Sequence, residues 1–240
     1  FKQVFDCVTP CPEKDIGLGV PRDPIRIVRE GTRLKLVQPK TGRDVSELMR
    51  GYVADFLDNI GPVDGFVLKS RSPSCGLTDT KLFGAKAQDQ ALPGRIAGFL
   101  GGAVLDRYPE LAVEDEGRLT NFAIREHFLT RVYTSARFRL LLDKPTMAGL
   151  VRFQAENKLL FMGYNQTRMR ELGRIVANPD KLKVAEVFEA YAETLPAVFA
   201  RRPRRESAIN VLMHGYGYFK AEVTVSEKRF FLDMLDSFRA

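Results

Sequence analysis

Two cysteines set in turns are where this sequence offers chemistry. Cys75 lies in Lys69-Ser70-Arg71-Ser72-Pro73-Ser74-Cys75-Gly76, among serines, a proline and a glycine. Cys11 lies in Cys11-Pro12-Glu13, ahead of Gly17-Leu18-Gly19-Val20-Pro21-Arg22. Residues of this kind hold a thiol on a loop, outside a packed core. Paired thiolates are soft ligands that select iron–sulfur clusters, zinc or copper(I). The alternative is that each cysteine is simply a small residue in its turn. Other chemistries fit less well. His127 and His214 are the only histidines, both in the second half. That leaves no zinc-finger spacing and no Ser-His-Asp arrangement. Cys7 and Cys11 form CxxxC, not the CxxC of thiol redox proteins. Gly17-Leu18-Gly19 lacks the later glycine and following helix of a phosphate loop.

The elements around these turns predict an α/β domain. Gly65-Phe66-Val67-Leu68 reads as a buried strand whose end opens into the Cys75 loop. Strand patterns also fall at Ile25–Val28 and Leu34–Val37. A helix is expected from Asp44 to about Ile60, with Asp44 and Glu47 in a capping-box-like arrangement. Another is expected from about Pro93 to Tyr108. Alternating strands and helices predict a largely parallel sheet, with ligands at the strands' carboxyl ends. The polar stretch Val113–Leu119 reads as a linker. It divides an α/β domain, residues 1–117, from an all-α domain, residues 118–240. In the second domain helices are expected near 122–142, 146–163, 167–177, 181–199, 205–221 and 226–239. Their short connections imply antiparallel neighbours in a bundle. Asn178-Pro179 is expected to stop one helix and Ser226 to cap the last.

Charge separates the two halves as well. Of the net +7, residues 1–117 carry 16 Lys and Arg against 17 Asp and Glu, and residues 118–240 carry 21 against 13. A basic half points to a polyanionic partner, with nucleic acid the commonest. Arg201-Arg202-Pro203-Arg204-Arg205 puts four arginines at a helix junction, where guanidinium groups reach phosphates. Arg168, Arg170 and Arg174 share another helix, and Arg131, Arg137 and Arg139 the first. Lys158 and Lys220 flank apolar stripes near these. His214 reads as a packed core histidine, and Phe161, Phe219, Phe230 and Phe231 as core residues at helical spacing. No apolar run approaches the roughly 20 residues needed to span a bilayer. No secretion signal is visible, and three cysteines make a disulfide framework a poor reading. Reduced thiols in a cytoplasm are expected.

At these residues the chain resembles a known family. Cys11-Pro12-Glu13, Gly17–Ile25, Asp44-Val45 and Ser72-Pro73-Ser74-Cys75-Gly76 resemble the thiouracil desulfidases. The second half resembles the helical domain often fused to them, through Val151–Leu160 and Asn210–Lys220. The fusion resembles enzymes that convert 4-thiouridine in tRNA to uridine without net redox change. The resemblance implies a [4Fe-4S] cluster on three cysteines, with Cys11 and Cys75 as two of the ligands. It implies Glu13 and Ser72 as proton-handling or water-positioning groups. From their charge and placement, Arg201, Arg202, Arg204, Arg205, Arg168, Arg170, Lys158 and Lys220 are the expected tRNA contacts. The family's first cluster cysteine lies in a segment that this sequence does not contain, so the third ligand is expected outside this chain. Gln154 and Asn157 stand where histidines are expected, which favours a structural or binding role for that helix. Two other readings remain open: a desulfidase of free thiolated bases, and a non-catalytic RNA-binding protein whose cluster is lost.

Overall fold

A tight turn sets the direction of the first two strands. β1 (Arg26–Glu30) and β2 (Arg33–Gln38) are joined through Gly31, whose φ of 59° suits glycine. So short a connection permits only antiparallel pairing. β3 (Arg43–Asp44) continues the meander antiparallel to β2. β5 (Thr80–Phe83) lies parallel to β1, and β6 (Ala91–Ile96) antiparallel to β5. The sheet order is β3-β2-β1-β5-β6. The expected largely parallel sheet is thus corrected to a mostly antiparallel one. The computed structural model describes residues 4–84 and 90–239.

A second, two-stranded sheet is parallel. β4 (Gly65–Leu68) pairs with β7 (Ala112–Asp115), Gly65 opposite Ala112 and Leu68 opposite Asp115. Part of the stretch read as a linker is therefore a strand. α1 (Ser46–Asn59) buries Met49, Val53 and Leu57 on one face. These join Ile27 and Leu36 from the large sheet, Phe66 from β4, and Leu100 and Val104 from α2 (Phe99–Arg107) in one core. Burying each such side chain contributes roughly 1.5–3 kcal/mol. The expected helix from Pro93 begins only at Phe99, because Pro93 and Gly94 belong to β6.

The chain divides into two compact units, Phe1–Val132 and Tyr133–Ala240. The division falls inside α3 (Phe122–Leu142). The second unit also holds α4 (Met147–Ala177), α5 (Val184–Val198), α6 (Arg205–Phe219) and α7 (Val225–Arg239). Its core gathers Phe138, Phe153, Phe161, Leu172, Phe188 and Tyr191. The Phe138 and Tyr191 rings stack at 5.3 Å. Thr146 caps α4 by accepting from Gly149 N at 3.1 Å, and Asn178 ends it in the left-handed region. α4 is two helices in one, because Asn165 is extended at φ −157° and ψ 98°. The last helix is capped by Thr224, not Ser226. Thr224 Oγ1 accepts from Glu227 N at 3.3 Å, and Glu227 Oε2 accepts from Thr224 N at 2.7 Å.

Candidate functional site

Cys11 begins a helical turn that the sequence closes locally. Asp15 N donates to Cys11 O at 2.9 Å, and the Asp15 carboxylate accepts from Cys11 N at 3.3 Å. Gly17 at φ 85° and Gly19 at φ 73° then reverse the chain, a backbone that side chains disfavour. The reversal returns Arg22 to the start of the turn. Its Nη1 donates to Gly19 O at 3.1 Å, its Nε to Glu13 Oε2 at 2.7 Å, and its Nη2 to Cys11 Sγ at 3.6 Å. The glycine-rich stretch is a device for folding an arginine back, not a phosphate loop.

Cys75 follows from the end of β4. Ser72 Oγ accepts from Ser74 N at 3.2 Å and Cys75 N at 3.1 Å, which closes the loop on itself. Gly76 N and Thr80 Oγ1 both donate to Ser72 O at 2.8 Å. The first turn of α2 presses from below: Phe99 N donates to Pro73 O at 3.1 Å and Leu100 N to Ser74 O at 2.8 Å. That approach needs bare backbone. A Cβ on Gly98 would meet Ser74 O, and one on Gly101 would meet Gly76 O.

The two loops meet at Glu13. Its Oε1 accepts from Ser74 Oγ at 2.6 Å, while Oε2 is held by Arg22. Ser74 is fully buried. Tyr52 of α1 donates to Asp15 Oδ2 at 3.0 Å. Its burial, the carboxylate of Asp15 and the charges of both thiols all raise its phenol above the ordinary value. Cys11, Glu13, Ser72 and Cys75, spread over 65 positions of sequence, are thereby drawn to one place.

The electrostatics are those of a mostly closed site. Burial, with Glu13 and Cys11 adding to it, pushes the Cys75 thiol up to about 11. As a free thiol it stays protonated at neutral pH and is a weak nucleophile. A metal ligated there would displace that proton. Burial works against the Arg22 charge, but Glu13 and Cys11 outweigh it and hold the guanidinium above its ordinary value.

The donor set is two thiols with no imidazole, which suits an iron–sulfur group. Cys7 is exposed and gives its thiol to Phe5 O at 3.5 Å. Among the described residues no group of three His, Cys, Asp or Glu is placed to hold a metal ion. The described residues thus bring together two thiols, Cys11 and Cys75, of the three that a cluster on three cysteines would need. Arg22, Ser74, Asp15 and Tyr52 escaped the sequence reading. Arg22 sits within a stretch singled out there, and Ser74 is next to Cys75, but each gains meaning only from the distant loop it meets.

Residues 1–116 match the 2-thiouracil desulfurase family. The match takes in both cysteine loops and Glu13. Residues 158–240 match a family described as a protein of unknown function, DUF1722. An uncharacterized protein of Escherichia coli K12, YbgA, is 25% identical over 95 residues, which is 39% of this chain and 56% of that protein. The chain thus spans about half the length of the curated relative it matches. No solved structure matches at a significant level.

In the second unit the basic residues are spread widely. Arg201, Arg202, Arg204 and Arg205 are exposed around the start of α6, as are Lys158, Arg170 and Lys220 on α4 and after α6. Arg168 is exposed but paired with Glu171 at 2.6 Å. Arg137 pairs with Glu156 at 2.5 Å. Arg131 belongs to the first unit, where it donates to Glu110 O and Leu111 O. Gln154 and Asn157 are structural. Gln154 accepts from Tyr191 OH at 2.7 Å and donates to Met169 O at 3.2 Å, and Asn157 donates to Phe153 O at 2.7 Å. His214 is exposed, not packed in a core. Phe219 and Phe230, read as core, are 58% and 67% exposed, while Phe161 is buried. The helical period locates an apolar stripe but not what covers it. No helix among the described residues is long and apolar enough to cross a membrane.

Proposed function

We propose that this protein removes sulfur from a thiolated uracil carried in RNA, turning 4-thiouridine of tRNA into uridine. One observation carries the reading. Cys11 and Cys75 converge around the carboxylate of Glu13 within a stretch that matches the 2-thiouracil desulfurases. The proposed cofactor is a [4Fe-4S] cluster held by Cys11, Cys75 and a third cysteine outside the described residues. Bound there, it would supply Lewis acidity toward a substrate thiocarbonyl and make its carbon more electrophilic.

The protein's own groups do the rest. Water adds to the thiocarbonyl carbon, the carbon–sulfur bond breaks, and a carbonyl forms. Sulfur leaves as hydrogen sulfide with the two protons of that water, so no electrons are gained or lost. Glu13 is the group to handle those protons, since it is a carboxylate between the two thiol loops. Ser72 sets the shape of the Cys75 loop through its backbone and hydroxyl contacts. The exposed arginines at 201–205, with Arg168, Arg170, Lys158 and Lys220, are the proposed phosphate contacts. They would position the RNA without reading its sequence.

A free thiolated base is the second reading. It is favoured by the fact that Cys11, Glu13, Arg22, Ser72, Ser74 and Cys75 all belong to the first unit. The test is the full-length protein, reconstituted anaerobically with iron and sulfide and given 4-thiouridine in tRNA and as free thiouracil. Loss of 4-thiouridine from tRNA with release of sulfide is the expected result. Turnover of the free base alone would transfer the function to the second reading. Binding of tRNA with neither iron nor turnover would leave a non-catalytic RNA-binding protein.

A further inference from the structure

Glu13 is gripped from both sides, and the two grips differ. Oε2 takes Nε of Arg22 at 2.7 Å and Nη2 of the same guanidinium at 2.5 Å. Oε1 takes the hydroxyl of Ser74 at 2.6 Å. The side chains of Arg22 and Glu13 are 24% and 17% exposed, and Ser74 is 0% exposed. Arg22 also reaches past the carboxylate, with Nη2 donating to Cys11 Sγ at 3.6 Å and Nη1 to Gly19 O at 3.1 Å.

A surface ion pair has no need of this arrangement. The planar fork of arginine presents one edge to the carboxylate while its outer nitrogens meet a sulfur and a carbonyl. Lysine, a point charge on a flexible stem, cannot occupy those positions together. Ser74 completes the opposite side with a hydroxyl small enough to be wholly enclosed. With both oxygens engaged, the carboxylate plane has one orientation between the thiol loops.

We propose that Arg22 and Ser74 are the positioning residues of the desulfidase site, with Arg22 serving both the carboxylate of Glu13 and the sulfur of Cys11. This rests on the function proposed above. Arg22 holds Glu13 in plane and gives a hydrogen bond and a positive charge to a cluster-ligand sulfur. Ser74 fixes the other carboxylate oxygen and has no part in the sulfur contact. The two residues should therefore separate in experiment.

The test uses full-length protein reconstituted with iron and sulfide, with Arg22→Gln, Arg22→Lys and Ser74→Ala. Iron content, cluster midpoint potential, and kcat and KM on 4-thiouridine substrate are read for each. Hydrogen bonds to cluster sulfurs and local charge set such potentials. Arg22→Gln should lower the potential and reduce kcat about tenfold or more, the scale of a misplaced acid–base group. KM should stay within about twofold. Arg22→Lys should recover part of the potential and little of the kcat. Ser74→Ala should keep the wild-type potential and still lose kcat. A fall in melting temperature with unchanged kcat and potential would reduce Arg22 to a structural ion pair and overturn the proposal. If Arg22→Gln does not fold, Ser74→Ala decides alone, and wild-type kcat in it overturns the proposal. Wild-type protein with neither iron nor turnover would sink the desulfidase reading and this one with it. Active wild-type protein with variants that match it would sink only this one.

Discussion

Each of the two cysteines is tied to its surroundings in a different way. Cys11 faces a guanidinium, and Cys75 is enclosed by its own loop. Replacing either with alanine should abolish iron binding of the reconstituted protein, measured against an expected four irons per chain for a thiolate-held cubane. Cys7→Ala should bind iron as wild type does, since Cys7 is exposed and turned to Phe5. Normal iron in Cys75→Ala would remove that residue from the site. Glu13→Gln should keep its iron and slow turnover by roughly 10²-fold, the usual cost of a lost acid–base group. The thiols and Glu13 are legible in the sequence because their turn residues mark them locally. Arg22 and Ser74 are not, because each earns its role from a contact with the other loop, 61 positions apart in the case of Ser74 and Glu13.

At the level of elements, the site depends on a loop clamped at both ends. Its beginning is pinned by Glu116, just past β7. The carboxylate accepts from Ser70 N at 2.7 Å and Ser70 Oγ at 3.0 Å, and pairs with Lys69. Burial pushes Glu116 up, but Lys69 and the two Ser70 groups outweigh it and hold the carboxyl at about 2. A lowered carboxyl adds stability above its ordinary value, 4.5, and loses it as pH falls toward about 2. Acid titration of unfolding should show this loss in wild type and lack it in Glu116→Gln. An unchanged acid limb in that variant would refute the clamp. At the loop's far end, Gly101→Ala would force a methyl against Gly76 O. A cost of about 1–3 kcal/mol is expected, read as a lower denaturant midpoint. The helices are largely legible because breakers such as Asn178-Pro179 punctuate them. Strand direction is not, because it hangs on the Gly31 turn, which the alternation of strand and helix patterns overshadows.

For the whole molecule, charge is the property that matters most. The excess of Lys and Arg lies in residues 118–240, and the four arginines at 201–205 are exposed. Neutralising all four should weaken tRNA binding and flatten its salt dependence. Each lost phosphate contact removes about 0.7–0.9 from the slope of log affinity against log salt. Iron content should not change, since the cysteines belong to the other unit. An unchanged slope would place the RNA surface elsewhere. The asymmetry is plain in the sequence, but which cations are already spent is not. Arg131 and Arg137 look equivalent to Arg202 until the carbonyls of Glu110 and Leu111 and the carboxylate of Glu156 are seen beside them. One further consequence follows from α4. Unbroken, 31 residues would make a rod about 46 Å long at 1.5 Å per residue. Asn165 interrupts it, and its Oδ1 takes Arg168 N at 3.1 Å, starting the second segment afresh. The amide ladder is therefore severed in mid-helix, and each segment can open without unzipping the other. Deuterium uptake should show residues 147–164 and 166–177 exchanging as two separate cooperative blocks. Asn165→Ala, which favours a continuous helix, should merge them into one.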